Sequence, residues 1–178
     1  MSKRYSSIDQ FLAQFDVRVG RTLVVGAKVY GEKPDRRKVY KNAVGLDLFD
    51  GEGVDFTHNM ENPLPAEHGL FDHVDCCSVL EHCERPWLMC QNIEAAMCDG
   101  ATLLLQVPFV WRVHNYPGDY WRFTTEAFRI LFPGIEWISR GYLMEYEFSK
   151  RANAMNKGAR RYLERSESIG FGVKCTTC

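Results

Sequence analysis

Phe71-Asp72-His73-Val74-Asp75-Cys76-Cys77-Ser78-Val79-Leu80-Glu81-His82 is the stretch on which the fold turns. Residues 71–78 read as a short, largely apolar strand. Residues 86–97 follow as a helix with Trp87, Cys90, Ile93 and Met97 on one face. An Asp99-Gly100 turn then leads into an apolar strand over residues 101–107, which Pro108 is expected to end. On the N-terminal side, Thr22-Leu23-Val24-Val25 makes a compact first strand ending at Gly26, and residues 43–48 a second reaching Asp47. Residues 54–57 give a third. The polar segment 31–40 contains Pro34 and reads as a loop or short irregular helix. Further out lie a helix over 7–15, with Ile8, Phe11, Leu12 and Phe15 on one face and Ser6 or Ser7 as its cap, and a helix over 124–131 capped by Thr124 or Thr125. A sixth strand over 136–139, a helix-permissive stretch over 146–165 and a last strand over 169–174 complete the pattern.

Strands alternating with helices predict an α/β fold: a Rossmann-like, doubly wound, mostly parallel seven-stranded sheet with helices on both faces. Ligands on such sheets bind at the carboxyl ends of the strands near the reversal of strand order, so the loops after the first, second, fourth and fifth strands carry the functional weight. With 178 residues the chain fits one domain, burying roughly 70% of its unfolded surface. Residues 1–20 form a helix and lead-in, 21–132 the ligand-binding core, and 133–178 the C-terminal strands and helix.

A net charge of −1 argues against broad binding to nucleic acid or an anionic membrane. Arg151, Lys157, Arg160, Arg161 and Arg165 cluster, and read as a solvated helix face. The N-terminal residues lack the apolar run of a signal peptide, and the most apolar stretch, 101–110, is too short to span a bilayer. A cytoplasmic location is expected. Of seven cysteines, Cys76, Cys77, Cys90 and Cys98 sit in apolar segments and read as small buried hydrophobes. Cys175 and Cys178 have metal-ligand spacing but no second pair to complete a site, so reduced thiols and no metal are expected.

Three segments resemble the class I S-adenosylmethionine-dependent methyltransferases. They are the 71–82 stretch with its Val79-Leu80-Glu81-His82, the Asp99-Gly100 turn before the fifth strand, and His114-Asn115-Tyr116-Pro117-Gly118-Asp119-Tyr120-Trp121-Arg122-Phe123-Thr124. The last is similar to a His-x-x-Pro-x-Asp-Tyr-Trp-Arg-Phe-Thr segment in a subset of that family, several members of which are associated with surface-sugar biosynthesis. The resemblance implies S-adenosylmethionine as cofactor. Gly26 would stand under its methionine part, Asp47 would accept the ribose hydroxyls, and Asn59 would read the adenine amino group with Met60 packed on the ring. Ser78, Glu81 and His82 would border the cofactor from the fourth strand. The first-strand loop departs from the family pattern: Val24 stands where an acid is usual, and Lys28 where a second glycine is usual. Glu32 and Asp35 are candidates for the cofactor ammonium instead.

Methyl transfer to a hydroxyl benefits from a positioned base, and histidine suits the role. His114 is the candidate base and Asp119 its orienting carboxylate; the competing reading makes His114, Asp119 and Arg122 a structural network fixing the loop. His82 and Glu81 are read as fold-stabilising or cofactor-edge residues before they are read as bases. Tyr116, Tyr120 and Trp121 are candidates for an acceptor pocket or for plain packing. His58, His68 and His73 read as surface or loop residues. The Asn/Asp-Pro-Pro-Tyr/Phe motif of amino-methylating nucleic-acid enzymes is absent, and Cys77 lacks the Pro-Cys of cytosine C5 enzymes. The expected function is methyl transfer to a hydroxyl of a small-molecule or carbohydrate acceptor. The alternative is a non-catalytic scaffold or assembly protein of the same fold.

Overall fold

The computed structural model describes residues 3–5, 7–15, 20–115, 117–148 and 161–176. The strands, in chain order, are β1 (Lys3–Tyr5), β2 (Thr22–Val25), β3 (Ala43–Asp47), β4 (Phe56–Thr57), β5 (Phe71–Cys77), β6 (Met97–Val110), β7 (Ile135–Phe148) and β8 (Arg161–Lys174). The helices are α1 (Ile8–Leu12), α2 (Pro86–Ala95) and α3 (Ala127–Leu131). Among the described residues the strands form one sheet in the order β1-β7-β8-β6-β5-β2-β3-β4. β8 runs antiparallel to both neighbours and every other pairing is parallel. The order reverses between β2 and β5, the switch point where a ligand cleft is expected.

The expected α/β sheet is present with eight strands rather than seven. The additional strand is β1, pairing Lys3, Arg4 and Tyr5 with Gly141, Tyr142 and Leu143. Three residues carry no readable periodicity; burial of Tyr5, edge-on to Phe11 at 5.0 Å, holds them. β6 does not stop at Pro108. Past Gln106 it has no partner in β5, so an imino residue there breaks no ladder on that side. Its register with β8 shifts between Pro108 and Val110. The Asp99-Gly100 turn lies inside β6 as a bulge, Gly100 taking φ +76°.

The helix-permissive stretch 146–165 is also corrected. Residues 146–148 and 161–165 are strand, paired Tyr146 to Leu163 and Phe148 to Arg161, since a long antiparallel hairpin overrides local propensity. Arg161 and Arg165 therefore belong to β8 and not to a helix face; Arg151, Lys157 and Arg160 lie outside the described residues. Ser7 caps α1, its Oγ accepting from the Gln10 N–H at 3.1 Å, while Ser6 lies outside the described residues. Neither Thr124 nor Thr125 caps α3, whose capping position is Glu126. On α2 the buried face is Met89, Cys90 and Ile93, with Trp87 turned outward.

Alternation along the central strands divides the core. Leu23, Val25, Val74, Cys76, Leu103, Leu105 and Val107 meet α2 and α3 on one face in the larger cluster. Leu104, Ile169 and Phe171 meet Phe11 of α1 on the other. Truncating a buried residue such as Ile93 or Leu105 to alanine is expected to cost about 2–5 kcal/mol. The connection from β2 to β3 contains only a 3-10 turn, Arg36–Val39, capped by Asp35. Over β5 the second face is therefore closed by side chains of that turn, and His73 and Asp75 are wholly buried beneath them.

Candidate active site

A cleft of about 820 Å³ opens at the carboxyl ends of β2, β3, β5 and β6, a volume within the range of small-molecule sites. Gly26 forms its floor at the end of β2, where φ is +72° and a Cβ would overlap Val79 Cγ2. Glycine is required there on both counts. The N–H groups of Gly26 and Ala27 both donate to the Leu46 carbonyl, at 2.9 and 3.0 Å, tying the β2 loop to β3. Asp47, the last residue of β3, accepts the Lys28 N–H on Oδ2 and the Phe49 N–H on Oδ1, each at 3.1 Å. A carboxylate has about four acceptor positions, so two remain for a ligand. The Lys28 side chain lies along Gly51 and sets its ammonium over the rings of Tyr30 and Phe49, at 5.5 and 5.8 Å. It edges the cleft without plugging it.

Met60 is buried in the cleft wall beside Asn59, whose Oδ1 accepts the Glu61 N–H at 2.9 Å. Ser78, just past β5, holds φ +58° with its N–H bonded to the Gln106 carbonyl; it is the one non-glycine residue at positive φ among those described. Such strain concentrates at functional sites. Cys77 and Gln106 line the same wall.

At the other end, the 3-10 turn Leu80–His82 meets the 114–122 loop. His82 Nδ1 donates to the Gly118 carbonyl, which places its other nitrogen, Nε2, 3.7 Å from Glu81 Oε1. His114 Nδ1 faces two acceptors, the Arg112 carbonyl at 3.3 Å and Asp119 Oδ2 at 3.2 Å. The proton therefore sits on Nδ1, leaving Nε2 the basic nitrogen. Asp119 Oδ2 also accepts the His114 backbone N–H at 2.7 Å, and Arg122 grips both carboxylate oxygens at 2.5 and 2.8 Å. This fork holds the Asp119 carboxyl well below the usual carboxylate range. The two imidazoles meet edge to face at 5.0 Å.

Glu81 is 1% exposed and its Oε2 has no partner among the described residues. Burial, reinforced by the neighbouring Glu167 and Asp119 carboxylates, pushes its pKa up to about 8, so it carries a proton at neutral pH. Burial also lowers the pKa of His82. One ligand-type atom from each of Glu81, His82 and His114 lies within 4.8 Å of the others, a set whose composition would suit a divalent cation if Glu81 were ionised.

Seven of the nine residues singled out from the sequence line this one cleft: Gly26, Asp47, Asn59, Met60, Ser78, His82 and His114. Glu81 and Asp119 stand behind it, the first against His82 and the second against His114. Neither Asp35 nor Glu32 lines the cleft; the two Asp35 oxygens accept from the Arg37 backbone and guanidinium instead. His73 is no surface residue. It is buried against Thr102 Oγ1 at 2.7 Å, and burial lowers its pKa to about 4. Tyr120 lines the cleft, whereas Trp121 bonds the Cys83 carbonyl and packs edge-on to Trp87; Tyr116 lies outside the described residues. Cys175 is unpaired, and Cys178 lies outside the described residues. The lining residues that the sequence did not flag are chiefly Arg36, Lys33, Cys77 and Gln106.

No family model and no curated protein matches the chain. Solved structures do. A putative methyltransferase from Haloferax volcanii, in complex with the Trm112 methyltransferase activator, superposes with a TM-score of 0.65 at 16% identity, over 94% of this chain and 87% of its own. A putative methyltransferase from Bacillus halodurans gives 0.63 at 12% identity, over 93% and 98%. The N-methyltransferase NodS of Bradyrhizobium japonicum, in complex with S-adenosyl-L-homocysteine, gives 0.56 at 12% identity, over 92% and 81%. The fold is thus the Rossmann-like α/β fold of class I methyltransferases. No helix among the described residues is long and apolar enough to cross a membrane.

Proposed function

We propose that the protein is an S-adenosylmethionine-dependent methyltransferase acting on a hydroxyl of a small-molecule or carbohydrate acceptor. The observation that carries this reading is that one cleft holds Gly26, Asp47, Asn59 and Met60 along one part and the His82–His114 pair at another. The residues fit the cofactor: a glycine at positive φ whose place a Cβ would crowd against Val79, a carboxylate with acceptor capacity left, and a buried methionine for an aromatic ring. Asp47 would hold the ribose, Asn59 and Met60 the adenine, and the Gly26 backbone the amino-acid portion. When bound, the cofactor supplies an electrophilic methyl carbon.

The chain contributes positioning and proton transfer. An acceptor hydroxyl beside His114 gives its proton to Nε2 as its oxygen becomes the nucleophile. Asp119 fixes the ring through Nδ1 and stabilises the imidazolium that forms, and Arg122 keeps Asp119 ionised. His82, neutral and anchored on Gly118, closes the same corner. Calorimetric titration with S-adenosylhomocysteine tests the reading: saturable micromolar binding is expected, and no heat at millimolar ligand refutes it. Lys28 folding over Gly51 and leaving the cleft open weighs against the scaffold alternative.

A further inference from the structure

Arg36 reaches the cleft wall from the 3-10 turn between β2 and β3, its side chain 31% exposed. Its Nε and Nη2 both donate to Asp75 Oδ2, at 3.2 and 2.6 Å, and the Tyr40 hydroxyl donates to the same oxygen at 2.8 Å. Asp75 is wholly buried and pairs in register with Val24 of β2. The acid at this level of the sheet therefore sits one strand away from Val24, and it is spent on Arg36. Between Gly26 and Arg36, the charged residues that line the cleft are Lys28, Lys33 and Arg36, all cationic. The acids of that segment, Glu32 and Asp35, do not line it.

A guanidinium held by a buried carboxylate keeps its orientation, so little entropy is lost when it binds a ligand. Two of its five N–H groups serve Asp75, and the others lie on the parts of the fork turned from that oxygen. A planar anion matches that donor set. A ligand whose only charge is an ammonium does not.

We propose that Arg36, positioned by Asp75 and Tyr40, binds the carboxylate of the cofactor's amino-acid portion, so that this protein reads that portion through its anion where Val24 offers no acid for its cation. The inference rests on the cleft being an S-adenosylmethionine site. Lys28 and Lys33 add long-range attraction of the same sign.

Three probes test it by calorimetry: S-adenosylhomocysteine, its decarboxylated analogue that keeps the ammonium, and 5′-methylthioadenosine, which lacks both charges. The wild type is expected to prefer S-adenosylhomocysteine over the decarboxylated analogue by about tenfold or more, the scale of a lost charge-assisted hydrogen bond. Arg36→Gln should erase that preference while 5′-methylthioadenosine binds as before, which also certifies that the cleft is folded. Because Arg36→Gln leaves Asp75 buried without its partner, Arg36→Lys and Tyr40→Phe serve as gentler variants, each expected to narrow the preference. Equal affinity of the wild type for the two charged probes, or a preference that survives Arg36→Gln, overturns the proposal with nucleoside binding intact. Tighter binding of adenosine diphosphate than of S-adenosylhomocysteine overturns it in favour of a phosphate site. If no nucleoside binds the wild type, the proposal falls together with the cofactor reading.

Discussion

Asp119 Oδ2 sits 3.2 Å from His114 Nδ1 and 2.7 Å from the His114 backbone nitrogen, so one buried carboxylate oxygen holds both the ring and the main chain of the same residue. Ring orientation and loop position are set together. Arg122 completes the arrangement from three residues further on.

His114→Ala should lower kcat by about 10²–10⁴-fold, the usual contribution of a general base, with S-adenosylhomocysteine affinity unchanged. Asp119→Asn keeps the shape and removes the charge that stabilises the imidazolium, so a smaller loss of kcat is expected. Steady-state kinetics with parallel calorimetry separate the two effects. An His114→Ala variant of full activity would assign the trio to loop structure alone.

Gly26→Ala forces a side chain into the left-handed region and into Val79. The expected cost is about 1–3 kcal/mol of stability, with a larger proportional loss of cofactor affinity because the β2 loop must shift. Urea unfolding and ligand titration of the one variant read both. An unchanged midpoint and affinity would show that the loop has another conformation available.

Glu81 gives a pH signature. Its folded pKa of about 8 lies above the ordinary 4.5, so the folded state retains a proton that the unfolded chain releases. Its contribution is fully present below pH 4.5 and is lost as pH rises through 8, at roughly 1 kcal/mol per pH unit between those values. Glu81→Gln mimics the protonated form. Its stability relative to wild type should therefore rise from pH 5 to pH 8, as followed by thermal unfolding. A constant difference across that range would mean that Glu81 is ionised in the folded protein.

Coordination by Glu81, His82 and His114 would require Glu81 to give up its proton, whereas the proposed transfer needs no metal. Methyl transfer should survive dialysis against a chelator. A loss of about tenfold, restored by a divalent cation, would reassign Glu81, His82 and His114 as its ligands and replace His114 as the base.

Much of the site was legible because it follows strand ends. Gly26 closes the first strand of the sequence reading, Asp47 the second and Ser78 the fourth, so an α/β reading alone brings them to one edge. His114 and Asp119 were singled out through the resemblance of the 114–124 segment, and the loop sets their side chains 3.2 Å apart. Arg36 was not. It lies in a polar segment without periodicity, and only an ion pair to Asp75, 39 residues away, turns it toward the cleft. His73 was misread because a lone histidine in a strand gives no sign of whether its face is covered. Here the 3-10 turn covers it without a helix, and the ring of Tyr40 lies 5.2 Å from its own. The lengths of β7 and β8 were hidden for a similar reason: their pairing with each other, not their composition, extends them.

The most direct test of the account is a titration of S-adenosylhomocysteine into the wild type and into Asp47→Ala. Saturable binding to the wild type is expected, with a loss of ~1–3 kcal/mol in the variant as buried hydrogen bonds to the ribose disappear. Absence of binding to the wild type, or identical affinity in the variant, would contradict it.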